Sequence, residues 1–240
     1  MNTVLEKPHL RALISIDNVI FGFKQGQLKI LLVSYEIHKG KWALPGGYVF
    51  EDENILDAAN RLLLKLSGIK NLYLKQFKTF GAVGRVPGER VLTVAYLALI
   101  SLDQYPLESG THTKEVRWFD VSSGDGTSKS QTPIPVDLLF DHKEILDVAL
   151  AQLKHNVRHE PIGFNLLPEK FTLLQLQELY EAILGVKLDK PNFRRKMSRM
   201  KLLLPLGEKQ QNVAHRAAEL YRFDPEVYER LKEQGFVFEV

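Results

Sequence analysis

The densest chemistry in the chain lies between Lys187 and Lys201. Lys187, Lys190, Arg194, Arg195, Lys196, Arg199 and Lys201 stand against one acid, Asp189, for a local charge of +6. Asn192, Arg195, Lys196 and Arg199 recur at helical spacing on one side, while Phe193, Met197 and Met200 can face a core. Arginine can give guanine two hydrogen bonds and asparagine can do the same for adenine. Lysine mainly neutralises phosphate. A basic helix face is often only solvated, so its neighbours decide how it is read. A second cluster is Gly84-Arg85-Val86-Pro87-Gly88-Glu89-Arg90. Its arginines can clamp phosphate or hydroxyl groups with forked donors, and Glu89 can accept from a sugar hydroxyl. The plain alternative is a solvent-facing turn with an Arg–Glu pair.

The elements around the basic run can be read from their end signals. Thr172 and Gln175 have capping-box spacing. Leu173, Leu176, Leu179, Tyr180, Ile183 and Leu184 form one apolar face, and Gly185 is a helix stop. Asp189 can cap the next helix, with Pro191 in its first turn. Short strands at Leu202–Pro205 and Ala218–Phe223 flank a polar loop, Gly207–Arg216. Helix, turn, helix and two-stranded wing outline a winged helix-turn-helix, with the basic helix placed for the major groove. The expected DNA contacts are Asn192, Arg194, Arg195, Lys196, Arg199 and Lys201, with His215 and Arg216 near the wing. Asp224–Gln234 reads as a terminal helix.

Upstream, Leu10–Phe23 and Leu28–Tyr35 read as a hairpin, and Ile55–Leu66 as a helix. Leu72–Val83, Arg90–Leu102 and Glu115–Asp120 read as further strands. Ser122–Pro135 is a Ser-, Gly- and Pro-rich loop. Asp141–Leu153 has a helical stripe, with Asp141 expected as its cap, and His155–Glu169 is an irregular junction. The expectation is an α/β (α+β) layered domain, residues 1–158, followed by the DNA-binding unit, residues 159–240.

Gly47, Glu53, Arg61, Gly68 and Ile69, led by Leu44-Pro45-Gly46-Gly47, have the spacing of the Nudix box. Residues 10–155 resemble the Nudix family, which implies a mixed-sheet sandwich. Members of that family cleave nucleoside diphosphates linked to another group, holding divalent metal with glutamates on the box helix. The resemblance places those acids at Leu62, Lys65 and Leu66, three positions on one helix face. Apolar side chains cannot ligate a hard cation and an ammonium repels it. Glu53 and Arg61 remain, but Glu51, Asp52 and Asp57 lie off that face. No metal and no cofactor are expected, and no catalytic residue is assigned.

The order of the two parts extends the resemblance. Pro161-Ile162-Gly163-Phe164-Asn165-Leu166-Leu167-Pro168, Leu179-Tyr180-Glu181-Ala182-Ile183-Leu184-Gly185, Asn192-Phe193-Arg194-Arg195-Lys196 and Leu220-Tyr221-Arg222-Phe223 resemble the Nudix-related transcriptional regulators of the NrtR family. Phe21-Gly22-Phe23 and Pro87-Gly88-Glu89-Arg90 are similar to the AraR-like, sugar-responsive branch. This resemblance implies a homodimeric repressor that binds a double-stranded DNA operator. It implies a small effector in the front domain, ADP-ribose or L-arabinose, which releases the DNA. Arg85, Glu89, Arg90 and Glu53 are the candidate effector contacts. Two other readings stand beside it. One is a divergent metal-dependent Nudix pyrophosphohydrolase. The other is a sugar- or nucleotide-binding protein whose tail engages another protein.

Composition bounds these readings. The 240 residues carry 32 basic and 29 acidic side chains and no cysteine. That excludes a disulfide scaffold, a thiolate metal site and a cysteine nucleophile. The histidines are scattered and give no zinc spacing or hydrolytic triad. No apolar run approaches a membrane span and no signal-peptide core is visible, so a cytoplasmic location without membrane is expected.

Overall fold

The computed structural model describes residues 12–38, 40–102, 105–108, 113–121, 132–211, 216–236 and 238. The front of the chain builds a seven-stranded mixed sheet. Its strands are β1 (Leu13–Lys24), β2 (Gln27–Ser34), β3 (Trp42–Ala43), β4 (Gly46–Tyr48), β5 (Lys75–Phe80), β6 (Val91–Ser101) and β7 (Glu115–Asp120). The main path is β3-β2-β1-β6-β5, with β4 on β1 and β7 on β2. The expected hairpin is tighter than the sequence reading placed it. Lys24 pairs with Gln27, and both turn residues between them, Gln25 and Gly26, have positive φ (52° and 75°). Such a two-residue turn matches the twist of the strands it joins.

β1 also runs parallel to β6 from Leu13↔Val91 to Phe23↔Ser101. Both strands are therefore central and bury residues on both faces. Side chains alternate across β1. Val19, Phe21 and Phe23 enter one core, while Ile16 and Ile20 enter the other. The second core is closed by α1 (Ile55–Ser67), through Ala58, Ala59, Leu62, Leu63 and Leu66. The first core is closed by α2 (His142–His159), through Ile145, Leu146, Ala149, Leu153 and Val157. α2 runs past Leu153, because His155–His159 continue its hydrogen bonding where an irregular junction was expected. A 3-10 turn, Pro161–Leu166, follows.

The rear of the chain is a winged helix. α3 (Leu173–Leu184) starts with the full capping box: Gln175 N–H donates to Thr172 Oγ1 at 3.1 Å, and Thr172 N–H donates to Gln175 Oε1 at 2.8 Å. It ends at Gly185 in the left-handed conformation, φ 72°. α4 (Lys190–Met200) is capped by Asp189, which accepts from Asn192 N–H at 3.0 Å. β8 (Leu203–Lys209) and β9 (Glu219–Phe223) form the wing, and α5 (Pro225–Glu233) follows. Phe171 pairs with Tyr221 as a one-residue third strand, tying the start of α3 to the wing. The core under α2 continues without a break into this unit through Phe164, Leu176, Leu179, Tyr180, Phe193 and Met197.

Candidate effector cavity and DNA-reading helix

The metal-binding geometry expected of a Nudix hydrolase is missing at its source. Leu62 and Leu66 are buried in the α1 core, and Lys65 is exposed. Leu62 lies against Gly47, where any Cβ would meet its Cδ2 at 2.8 Å. These three side chains do not fit a divalent cation. Among the described residues, no group of three or more His, Asp or Glu is placed to hold one.

Glu53 is occupied elsewhere. Arg61 Nε donates to Glu53 Oε2 at 2.7 Å, and Phe50 N–H donates to Oε1 at 2.8 Å. Arg61 also donates to the Tyr48 carbonyl at 2.9 Å and stacks over Phe50. The hydrogen bonds from Arg61 hold the Glu53 carboxyl below its usual range. Glu53 therefore braces the loop ahead of α1 and is not among the residues lining the cavity beside α2.

On the opposite face, beside the start of α2, lies a cavity of about 500 Å³. Its floor is ionic. Arg85 is buried, and its Nε and Nη2 donate to Asp141 Oδ2 and Oδ1 at 2.8 and 2.7 Å. Arg85 Nη2 also reaches Asp17 Oδ2 at 3.4 Å, and Thr93 Oγ1 donates to the same oxygen at 2.8 Å. His142 Nδ1 accepts from Leu44 N–H at 2.9 Å. That bond needs the Nδ1 lone pair, so a neutral ring carries its proton on Nε2. Nε2 lies 3.4 Å from Asp17 Oδ1. Tyr35 donates to the Gly46 carbonyl at 3.0 Å, and burial pushes its phenol well above the ordinary range. The rim is apolar: Ile37, Val86, Pro87 and Phe140. A polar floor under an apolar rim suits a ligand with a hydroxylated end and a flatter, less polar remainder.

The sequence expectations for this region need correction. Asp141 stands at the N-cap of α2 but makes no side-chain cap hydrogen bond, because its carboxylate is spent on Arg85. Glu89 does lie at the cavity, but it pairs with neither arginine of its loop. It accepts from Tyr48 Oη at 2.6 Å. Arg90 points away and donates to the Gly81 and Ala82 carbonyls at 2.8 and 3.3 Å. Asp17, Tyr35 and His142 were not among the expected contacts. Asp17 carried a signal: an acid within a largely apolar strand is costly to bury unless paired.

In the winged helix, Phe193, Met197 and Met200 are buried, as their spacing predicts. Asn192, Arg194, Arg195, Lys196, Arg199 and Lys201 are all exposed, as is Arg216. Arg195 Nη2 hydrogen-bonds Asn192 Oδ1, so two candidate base-reading side chains are already side by side. His215 lies outside the described residues. α4 thus presents a cationic face to solvent, a geometry that fits a major groove.

Residues 13–135 match the NUDIX domain family, and residues 163–223 match the NrtR DNA-binding winged helix domain. Over 221 residues the chain is 35% identical to the ADPR responsive transcriptional repressor NtrR of Acinetobacter baylyi, covering 90% of this chain and 84% of that protein. The chain belongs to the NrtR family. It is a DNA-binding regulator with a Nudix fold in front of a winged helix. Shewanella oneidensis NrtR, crystallised with a 27mer DNA, superposes with a TM-score of 0.71 at 29% identity, over 90% of this chain and 95% of that one. The NUDIX domain of the same NrtR, crystallised with ADP ribose, matches with a TM-score of 0.51 at 29% identity, over 60% of this chain and 90% of that one. None of the helices among the described residues is long and apolar enough to cross a membrane.

Proposed function

We propose that this NrtR-family protein is a homodimeric repressor whose operator affinity is set by a nucleotide-sugar effector, with ADP-ribose as the leading ligand. One observation carries the reading. A cavity with an ionic floor and an apolar rim lies in a Nudix fold whose metal-ligating positions are Leu62, Lys65 and Leu66. Such a fold can bind a Nudix-type ligand without the means to cleave it, so we assign no hydrolase activity. The relative named for its ADP-ribose response and the NUDIX domain crystallised with ADP ribose support the choice of ligand.

The charge on the floor favours one end of that ligand. Arg85, the one Arg or Lys among the described residues lining the cavity, is paired with Asp17 and Asp141, and Glu89 adds a further carboxylate to the lining. A pyrophosphate has no uncompensated cation there. The terminal sugar, with hydroxyls that both donate and accept, is the better match. This balance also keeps a second reading alive, in which an uncharged pentose alone is the effector. L-arabinose has no support among the relatives and serves as the contrast ligand.

In the rear unit, taken from residue 159 onward, Asn192, Arg194, Arg195 and Arg199 read bases. Lys196, Lys201 and Arg216 hold phosphates. The test has two steps. A duplex selected by the purified protein from random DNA is bound at fixed salt. ADP-ribose, ribose and L-arabinose are then titrated by calorimetry and by gel shift. ADP-ribose should bind and release the duplex. Release by a free pentose alone moves the assignment to the second reading. Turnover of ADP-ribose with magnesium or manganese refutes the inactive box.

A further inference from the structure

The turn between α3 and α4 decides how α4 is presented to DNA. Leu188 lies in that turn, and both polar groups of its backbone are held by side chains of α3. Its N–H donates to Glu181 Oε1 at 3.1 Å, and its carbonyl accepts from Gln177 Nε2 at 3.1 Å. The same Gln177 nitrogen donates to Glu181 Oε1 at 2.8 Å. Lys187 Nζ, the next backbone position toward α3, lies 2.9 Å from Glu181 Oε2. Gln177 and Glu181 are four residues apart, on one face of α3. Gln177 is 7% exposed and the Glu181 side chain 13% exposed, so water competes weakly for these bonds.

We propose that Gln177 and Glu181 clamp the Leu188 peptide so that α4 leaves the turn at one fixed angle, which makes Glu181 a positioning residue for base recognition. α4 caps itself through Asp189 and reaches α3 through Phe193, whose ring centroid lies 5.7 Å from that of Tyr180. Met197 and Met200 join Phe193 in the core, but apolar packing is non-directional and does not by itself set the angle at which the helix leaves the turn. The clamp adds directional bonds one residue before the cap. Bidentate base contacts tolerate little swing, whereas phosphate contacts to long lysine and arginine side chains tolerate more. Loss of the clamp should therefore cost discrimination between sequences more than total DNA affinity.

The inference rests on α4 being the base-reading helix, and Arg195→Ala tests that separately. The probes are a duplex selected from random DNA by the wild-type protein, and a scrambled duplex of the same length. The readout is the ratio of the two affinities at one salt concentration. Arg195→Ala should lower the ratio. Glu181→Ala should lower it by about fivefold or more, the effect of about one net hydrogen bond, with scrambled-duplex affinity unchanged. Glu181→Gln keeps an acceptor for the Leu188 N–H and should recover part of the ratio. A role confined to stability lowers the melting temperature and both affinities together and leaves the ratio intact, which overturns the proposal. If Glu181→Ala does not fold, Gln177→Ala, which spares the Glu181–Leu188 bond, is read in the same way. An unchanged ratio in Arg195→Ala removes α4 as reader. An unchanged ratio in the clamp variants alone removes the clamp.

Discussion

Arg85→Met is the sharpest test of the cavity floor. Arg85 is 3% exposed at its side chain and is shared between two carboxylates, Asp17 at 6% and Asp141 at 15%. Methionine fills much of the volume but supplies no donor. Asp141 then loses both of its short bonds, and Asp17 keeps Thr93 and His142. Removing one partner of a buried pair typically costs about 3–5 kcal/mol. Asp141 retains some contact with water, so the lower end applies, about 3 kcal/mol. For a chain of this length that lowers the melting temperature by roughly 6–12 °C. The loss should come mostly from the stranded carboxylate rather than from lost packing. Arg85→Met/Asp141→Leu, which removes both sides of the pair, should therefore melt above Arg85→Met alone. Thermal unfolding of the wild type, both single variants and the double variant gives the coupling energy. A coupling below about 1 kcal/mol, or a double variant no better than the sum of the singles, refutes the account of the floor.

Two further predictions follow from other parts of the fold. Gly46→Ala places a Cβ against Asp17 Oδ1 and the Ile16 carbonyl oxygen, and the latter is backbone that cannot rotate away. It should cost about 1–3 kcal/mol of stability and weaken effector binding in calorimetry, because Gly46 lines the cavity. Burial by itself raises the Glu181 carboxyl, but hydrogen bonds from Gln177, Lys187 and Leu188 N–H outweigh it and hold it below its usual value. A lowered folded-state value means stability that is complete above the ordinary carboxylate range and is lost as pH falls through the lowered value. Denaturant unfolding of wild type and Glu181→Gln should therefore differ near neutral pH and converge as pH falls below the ordinary carboxylate range, and a constant difference at all pH values counts against the assignment.

Much of the rear unit is legible in the sequence because its signals are local. The Thr172–Gln175 box, Gly185, Asp189 and the Phe193–Met197 spacing each specify a feature within four residues of themselves, and each is found in place. The front unit is less legible where the structure depends on distant pairing. The parallel partnership of β1 and β6 joins segments nearly 80 positions apart, and both strands are apolar on both faces, so no alternation marks them. The same distance hides the cavity floor. Arg85 is 68 positions from Asp17 and 56 from Asp141. Read locally, Asp141 is a helix cap and Arg85 a loop cation. Only the packing of α2 on the sheet brings them together. The box helix is the opposite case. Leu62 and Leu66 announce by type alone that no carboxylate is there, and their burial shows what replaced it: apolar packing against the sheet.

The unbroken core beneath α2 has a consequence for how the protein comes apart. Val157 packs against Gly163, and Gly163 in turn lies near Leu179 and Tyr180. α3 rests on β2, with Glu178 approaching the Gly26 turn. The DNA-reading unit is not a bead on a string. Its inner side is finished by α2 and the β1–β2 hairpin, so cutting the chain after His159 bares apolar surface on both pieces. The two parts should melt in one transition. Grafting the winged helix onto another sensor would have to carry α2 along with it.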